Sequence, residues 1–171
     1  FKFAVNKDGD IRFGLNAIKG VSSSAVEAII REREENGPYK DIYDFCERVP
    51  MNASGVNRKT MESLIFSGAF DSFGLQREHY LAPMETGNDD NFMMALMRYG
   101  QVLQTEQSIN ENSLFGGEEE AMKLPRPTPP STYPQLSDLE RLNKERDLVG
   151  LYLSGNPLNP YRVLLECYCP V

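Results

Sequence analysis

The sequence predicts a mainly α fold: a small N-terminal β-hairpin, a bundle of short helices joined by glycine turns, a proline-rich linker and a C-terminal helix. Apolar residues recur at helical spacing in several short runs that close on glycine or on Asn36-Gly37-Pro38. Two apolar stretches near the N-terminus flank an Asp-Gly pair that tolerates positive φ. Pro125, Pro127, Pro129, Pro130 and Pro134 then separate the last helical run from the others.

Phe1–Val5 and Ile11–Leu15 are the hairpin strands, with Asp8-Gly9 in the turn. Leu15, Ala17 and Ile18 make a first short helix, which Gly20 interrupts. Val21, Ala25, Val26, Ile29 and Ile30 lie on one face of a second helix, with Ser22–Ser24 as N-cap candidates and Gly37 as its C-cap. A third helix covers Asp41–Val49 and a fourth Arg58–Phe66, ending at Ser67-Gly68. Helical spacing resumes at 76–84, breaks near Thr86-Gly87-Asn88 and returns over 92–107, where the methionines read as core packing. The domains expected are therefore a helical unit over 1–107, a flexible linker over 108–135, and a helix with a connecting segment over 136–171.

Of 171 residues, 18 are Lys or Arg and 25 Asp or Glu, a net charge of -7 that argues against a generic polyanion binder. The acidity is local, since residues 81–125 carry eight acidic and two basic side chains. Three cysteines, Cys46, Cys167 and Cys169, and the single His79 support neither a disulfide framework nor a zinc site. Sparse cysteine suits a reducing, cytoplasmic setting, and no apolar run is long enough for a membrane span. The start at Phe1, with neither Met nor a signal-peptide core, reads as a piece of a longer chain.

Leu15-Asn16-Ala17-Ile18-Lys19-Gly20-Val21-Ser22-Ser23 has the order of a helix-hairpin-helix: short helix, apolar-x-Gly-apolar turn, longer helix. Such a turn suits a phosphate, because Gly20 allows close approach and the first N–H groups of the next helix point outward at the positive end of its dipole. The candidate DNA-binding residues are Lys19, Gly20, Val21, Ser22 and Ser23, with Gly68 in a related turn at Leu64–Phe70. Two departures stand out: Ser22 replaces the usual second glycine, and Ser67 stands where a basic residue would help. The architectural alternative makes Gly20 and Gly68 simple helix C-caps.

Ile11–Val21, Asn36-Gly37-Pro38-Tyr39, Tyr43–Cys46, Val56-Asn57-Arg58-Lys59 and Leu64–Asp71 occur in an order and spacing that closely resemble the catalytic alpha subunit of bacterial replicative DNA polymerase III. Asp147–Leu158 is similar to the stretch before that family's OB-fold, with Asn156 where a histidine is common. The resemblance implies the tandem helix-hairpin-helix, or clamp-binding, region of such a polymerase, with double-stranded DNA, the sliding clamp and the rest of the holoenzyme as partners. It implies Mg²⁺ for the parent nucleotidyltransferase but no cofactor or metal here. Two-metal chemistry needs carboxylates about 4 Å apart around the ions. No D-x-D pair on a strand pattern is present, and Asp89-Asp90 reads as a solvated loop.

Within the linker, Leu114-Phe115 is an adjacent bulky apolar pair among polar neighbours. The corresponding family stretch resembles Gln-x-Ser/Asp-Leu/Met-Phe, so the resemblance makes Glu111, Ser113, Leu114 and Phe115 the clamp-binding residues. Glu111 departs from the glutamine, whose amide donates where a carboxylate does not. Two other readings stand beside this one. A structural spacer would position the OB-fold, and a helix-hairpin-helix repair enzyme would need a Lys or Asp shortly after the hairpin that is not well placed here.

Overall fold

Ser22, Asp41, Asn57 and Ser137 each turn a side-chain oxygen toward the N–H three residues on, and so fix where four helices begin. The computed structural model describes residues 3–84, 91–112 and 125–168. The helices are α1 (Ser23–Asn36), α2 (Ile42–Arg48), α3 (Arg58–Phe66), α4 (Phe92–Asn112), α5 (Asp138–Val149) and α6 (Arg162–Tyr168). The strands β1 (Phe3–Val5) and β2 (Ile11–Phe13) pair antiparallel, with Phe3 opposite Phe13. Fold class and hairpin agree with the sequence reading: the chain is mainly helical, with one small two-stranded sheet among the described residues.

The core lies between α1, α2, α3 and the first half of α4, where Val26, Ile42, Phe45, Met61, Leu64, Ile65, Phe92 and Leu96 are buried together. Met61, Met93 and Met97 belong to it, and so does Cys46 of α2. At the α2–α4 crossing Gly100 lies directly against the Cys46 carbonyl, leaving no room for a β-carbon. One turn further on, Gln104 serves the C-terminal end of α2. Its Nε2 donates to Val49 O at 2.8 Å and Cys46 O at 3.1 Å, and its Oε1 accepts from Met51 N at 3.2 Å.

The structure differs from the sequence reading in three places. The run at 76–84 is a 3₁₀ turn over Arg77–Leu81 rather than an α-helix, because Pro83 holds Ala82 extended and stops the helix within five residues. Helix α4 continues to Asn112, so the expected boundary at 107/108 falls inside it. The proline-rich stretch does not stand clear of the bundle: Tyr43 Oη donates to Pro127 O at 2.7 Å, Arg126 pairs with Glu47 at 2.9 Å, and the tilted Tyr133 and His79 rings lie 3.8 Å apart.

Helix α5 belongs to the same body. Its Ser137–Glu140 capping box sets its start, and its fully buried Glu145 meets Arg77 at 3.1 Å. Arg77 also holds Asp71 at 2.6 Å and donates to Phe66 O. Glu145 in turn accepts from the backbone of Leu153 and Ser154 and from the Ser154 hydroxyl. Burial alone would raise the Glu145 carboxyl, but the bonds from Ser154, Arg77 and Leu153 outweigh it and hold the group below the usual carboxylate range.

Replacing Glu145 by Gln should cost about 3 kcal/mol in urea unfolding, because it leaves the Arg77 charge undercompensated in a buried site. The native carboxyl is held below the value of about 4.3 for an unfolded Glu. Its contribution is therefore complete above that pH and disappears as pH falls through the lower folded value. Wild-type unfolding free energy should fall faster than that of Glu145→Gln between pH 5 and pH 3, measured by urea titration at each pH.

Candidate functional site

The first turn follows a single 3₁₀ turn at Leu15–Ala17. Ile18 and Val21 are buried and anchor it, while Lys19 and Gly20 between them are exposed. Val21 N donates to Ile18 O at 3.2 Å, which requires Gly20 at φ +90°. Ser22 then caps α1 by accepting from Ala25 N. Ser23 and Ser24 are exposed in the first turn of α1, where backbone N–H groups lack intrahelical acceptors. The Lys19 amide is already committed, donating to Leu148 O of α5 at 2.9 Å. Lys19 therefore offers a ligand its exposed ammonium, not its backbone.

A second turn with the same parts lies at Asn52–Asn57, between α2 and α3. Gly55 has φ +88°, Val56 is fully buried, and Asn57 caps α3 by accepting from Thr60 N. Gly20-Val21-Ser22 thus repeats as Gly55-Val56-Asn57. The sequence reading missed this repeat and looked for it at Leu64–Phe70, although a glycine, a buried valine and a capping residue before a helical run were legible at 55–57. Gly68 has φ +82° and caps the far end of α3, and only the 3₁₀ turn Asp71–Phe73 follows it. Its α-carbon abuts the buried Arg77 guanidinium, at the opposite end of α3 from the helix start that lies beside Gly20.

The two turns interlock. A methyl group on Gly20 would stand 2.7 Å from Ser63 Oγ of α3, and one on Gly55 would stand 2.7 Å from Ser24 Oγ and 2.8 Å from Ser22 Oγ of α1. The Thr60 hydroxyl lies 3.0 Å from Gly55 O and 3.3 Å from Gly20 O, within reach of both carbonyls. Each turn is seated against the first part of the other unit's helix, which brings the starts of α1 and α3 together. Lys59 lies over Gly20, and Lys19, Arg58 and Lys59 are all exposed there, Arg58 being paired with Glu62 at 3.1 Å. On a chain of net charge -7, this is a local patch where cations and two helix N-termini coincide.

Of the other candidate residues, Glu111 falls in the last turn of α4, and Ser113, Leu114 and Phe115 lie outside the described residues, as do Asp89 and Asp90. Among the described residues, no three His, Cys, Asp or Glu side chains are placed to hold a metal ion, and no helix is long and apolar enough to cross a membrane.

A helix-hairpin-helix family model matches residues 1–80. DNA polymerase III subunit alpha of Haemophilus influenzae is 35% identical over 97% of this chain, and that of Pasteurella multocida 37% identical over 97%. The same subunit of Deinococcus radiodurans is 42% identical over 92% of the chain. The chain is homologous to a segment of DNA polymerase III subunit alpha. It spans only 11–13% of the length of these relatives. The alpha-subunit match runs through both glycine turns, the proline-rich stretch and α5, whereas the helix-hairpin-helix model ends at residue 80.

Gly55→Ala should destabilise the chain by more than about 1 kcal/mol, since an L-residue is strained at this φ and its methyl would displace two serine hydroxyls. Gly74→Ala is the control, a left-handed glycine with φ +80° and open space around it. In paired urea titrations Gly55→Ala should lose more stability than Gly74→Ala.

Proposed function

We propose that this chain is the noncatalytic DNA- and clamp-contacting segment of a replicative DNA polymerase, with the Gly20 and Gly55 turns forming a tandem helix-hairpin-helix on duplex phosphates. The observation that carries the proposal is the interlocked pair of Gly-Val-cap turns, which gathers two helix starts with Lys19 and Lys59 on one exposed surface. Backbone N–H groups and a few cations serve phosphates regardless of base sequence, so the contact is nonspecific. Successive phosphates of a duplex suit two such turns side by side, and the acidic remainder of the chain limits the contact to this patch.

Glu111, Ser113, Leu114 and Phe115 form the clamp ligand in this reading. Leu114 and Phe115 supply two apolar anchors for a preformed cleft, and the chain on either side is held to the body: α4 before the motif, and the Arg126–Glu47 and Tyr43–Pro127 contacts after it. Tethering two individually weak contacts on one body raises their combined affinity, which is the basis of processive synthesis. A second reading, a spacer that positions a following OB-fold, draws on the buried Arg77–Glu145 pair that locks α5 and the Leu153–Ser154 backbone to the bundle.

Fluorescence anisotropy with a short labelled duplex should give binding with a log–log salt slope of about -2 to -4, reflecting two to four neutralised phosphates. Lys19→Ala/Lys59→Ala should flatten that slope by about 2 and weaken binding uniformly across duplex sequences. An unchanged slope would remove the hairpin face as the DNA contact.

Calorimetric titration against the sliding clamp of the same organism should show saturable binding in the micromolar range. Leu114→Ala/Phe115→Ala should abolish it. No heat from the wild-type chain would leave the spacer reading.

A further inference from the structure

The basic surface at the two glycine turns runs on along one side of α3. Lys59, Ser63 and Phe66 are spaced by four residues and then three, so they form a single line down that helix. Lys59 and Ser63 face the Gly20 turn, and Phe66 faces α5, where the Lys144 ammonium lies 4.2 Å from the centre of its ring. Helix α5 runs alongside in the opposite direction. Lys144 meets the last residue of α3, and one turn later Leu148 O accepts the Lys19 amide at 2.9 Å. The Gly20 turn thus closes one end of a seam whose walls are α3 and α5.

Lys144 is exposed and has no ion-pair partner among the described residues. The Phe66 ring, itself buried, fixes where its ammonium stands at the surface without neutralising the charge. The carboxylates nearby are engaged elsewhere. Glu62 holds Arg58 at 3.1 Å, Asp147 holds Arg146 at 3.1 Å, Glu140 accepts from Ser137, and Glu145 is buried against Arg77. From Lys59 to Phe66 the axis of α3 advances by about 10 Å, at about 1.5 Å per residue. One strand of a duplex carries a phosphate about every 3.4 Å of its axis, so this length matches about three of them.

We propose that the phosphate backbone of one DNA strand, seated on the two turns, continues along the seam between α3 and α5, with Lys144 as a further phosphate contact. This inference rests on the hairpin reading and deepens it, because α5 lies outside the 1–80 span of the helix-hairpin-helix match. A polyanion is the ligand class that fits. Lys19, Lys59 and Lys144 border one seam, and a strand reaches all three where a small anion would meet one.

The test is an anisotropy titration of the whole chain with a short labelled duplex, repeated across salt concentrations. Lys144→Met keeps an unbranched stem over Phe66 and removes the charge. It should flatten the log–log salt slope by about 1 and weaken binding roughly 5- to 10-fold at about 0.1 M salt. Lys144→Arg should keep the wild-type slope. Arg33→Met, an equal loss of charge in the last turn of α1, should keep it too. Should Lys144→Met fail to fold, Lys144→Gln takes its place with the same expectation. A wild-type slope in the Lys144 variant, or a loss matched by Arg33→Met or not restored by Lys144→Arg, would overturn the inference alone, provided that Lys19→Ala/Lys59→Ala still flattens the slope. No binding of duplex by the wild-type chain, or a slope untouched by Lys19→Ala/Lys59→Ala, would overturn the hairpin reading and this inference with it.

Discussion

Two α-carbons without side chains set how closely the halves of this bundle approach. At Gly20 and Gly55 the backbone takes a left-handed conformation, and at each the space a β-carbon would need is held by serine hydroxyls of the opposite unit. Both demands fall on the same residues, so glycine is required twice over at each turn. The Thr60 hydroxyl between the two carbonyls, itself buried, is the polar counterpart of that contact. Were the turns spread by a side chain, the starts of α1 and α3 would separate and the cations beside them would no longer share a surface.

A second joint lies at the other end of α3. Arg77 gathers Asp71, the Phe66 carbonyl and Glu145, and Glu145 reaches on to the backbone of Leu153 and Ser154. Charge is buried here where most of the core is apolar, and the satisfied geometry makes that tolerable. The joint joins residues 66–77 to residues 145–154, so the unit that packs together is larger than the 1–80 span of the helix-hairpin-helix match.

Much of this was legible in the sequence because it is locally determined. The limits of α2 and α3, the Gly37 stop and the N-terminal hairpin follow from caps, turn residues and periodicity, and all were recovered to within a residue or two. The first glycine turn was found for the same reason. A related turn was read at Gly68 because that glycine also has positive φ, but Gly68 follows the end of α3 against Arg77, whereas Gly55 precedes its start. The packing of α5 on α3 and of the proline-rich stretch on α2 was invisible, since long-range contacts such as Arg77–Glu145 and Tyr43–Pro127 leave no periodic trace. The Ser137–Glu140 capping box was readable and overlooked.

Gln104 gives α4 a fixed phase. Its amide closes the end of α2 and the entry to the second glycine turn, so α4 cannot slide or rotate about its axis without breaking several bonds at once. A residue inserted between Gly100 and Gln104 would turn the amide by about 100° and raise it by about 1.5 Å, away from every carbonyl it serves. The far end of α4, toward Asn112, is therefore indexed in height and angle to the Gly55 turn. Sequence length within this helix, more than its composition, sets where its far end stands against that turn.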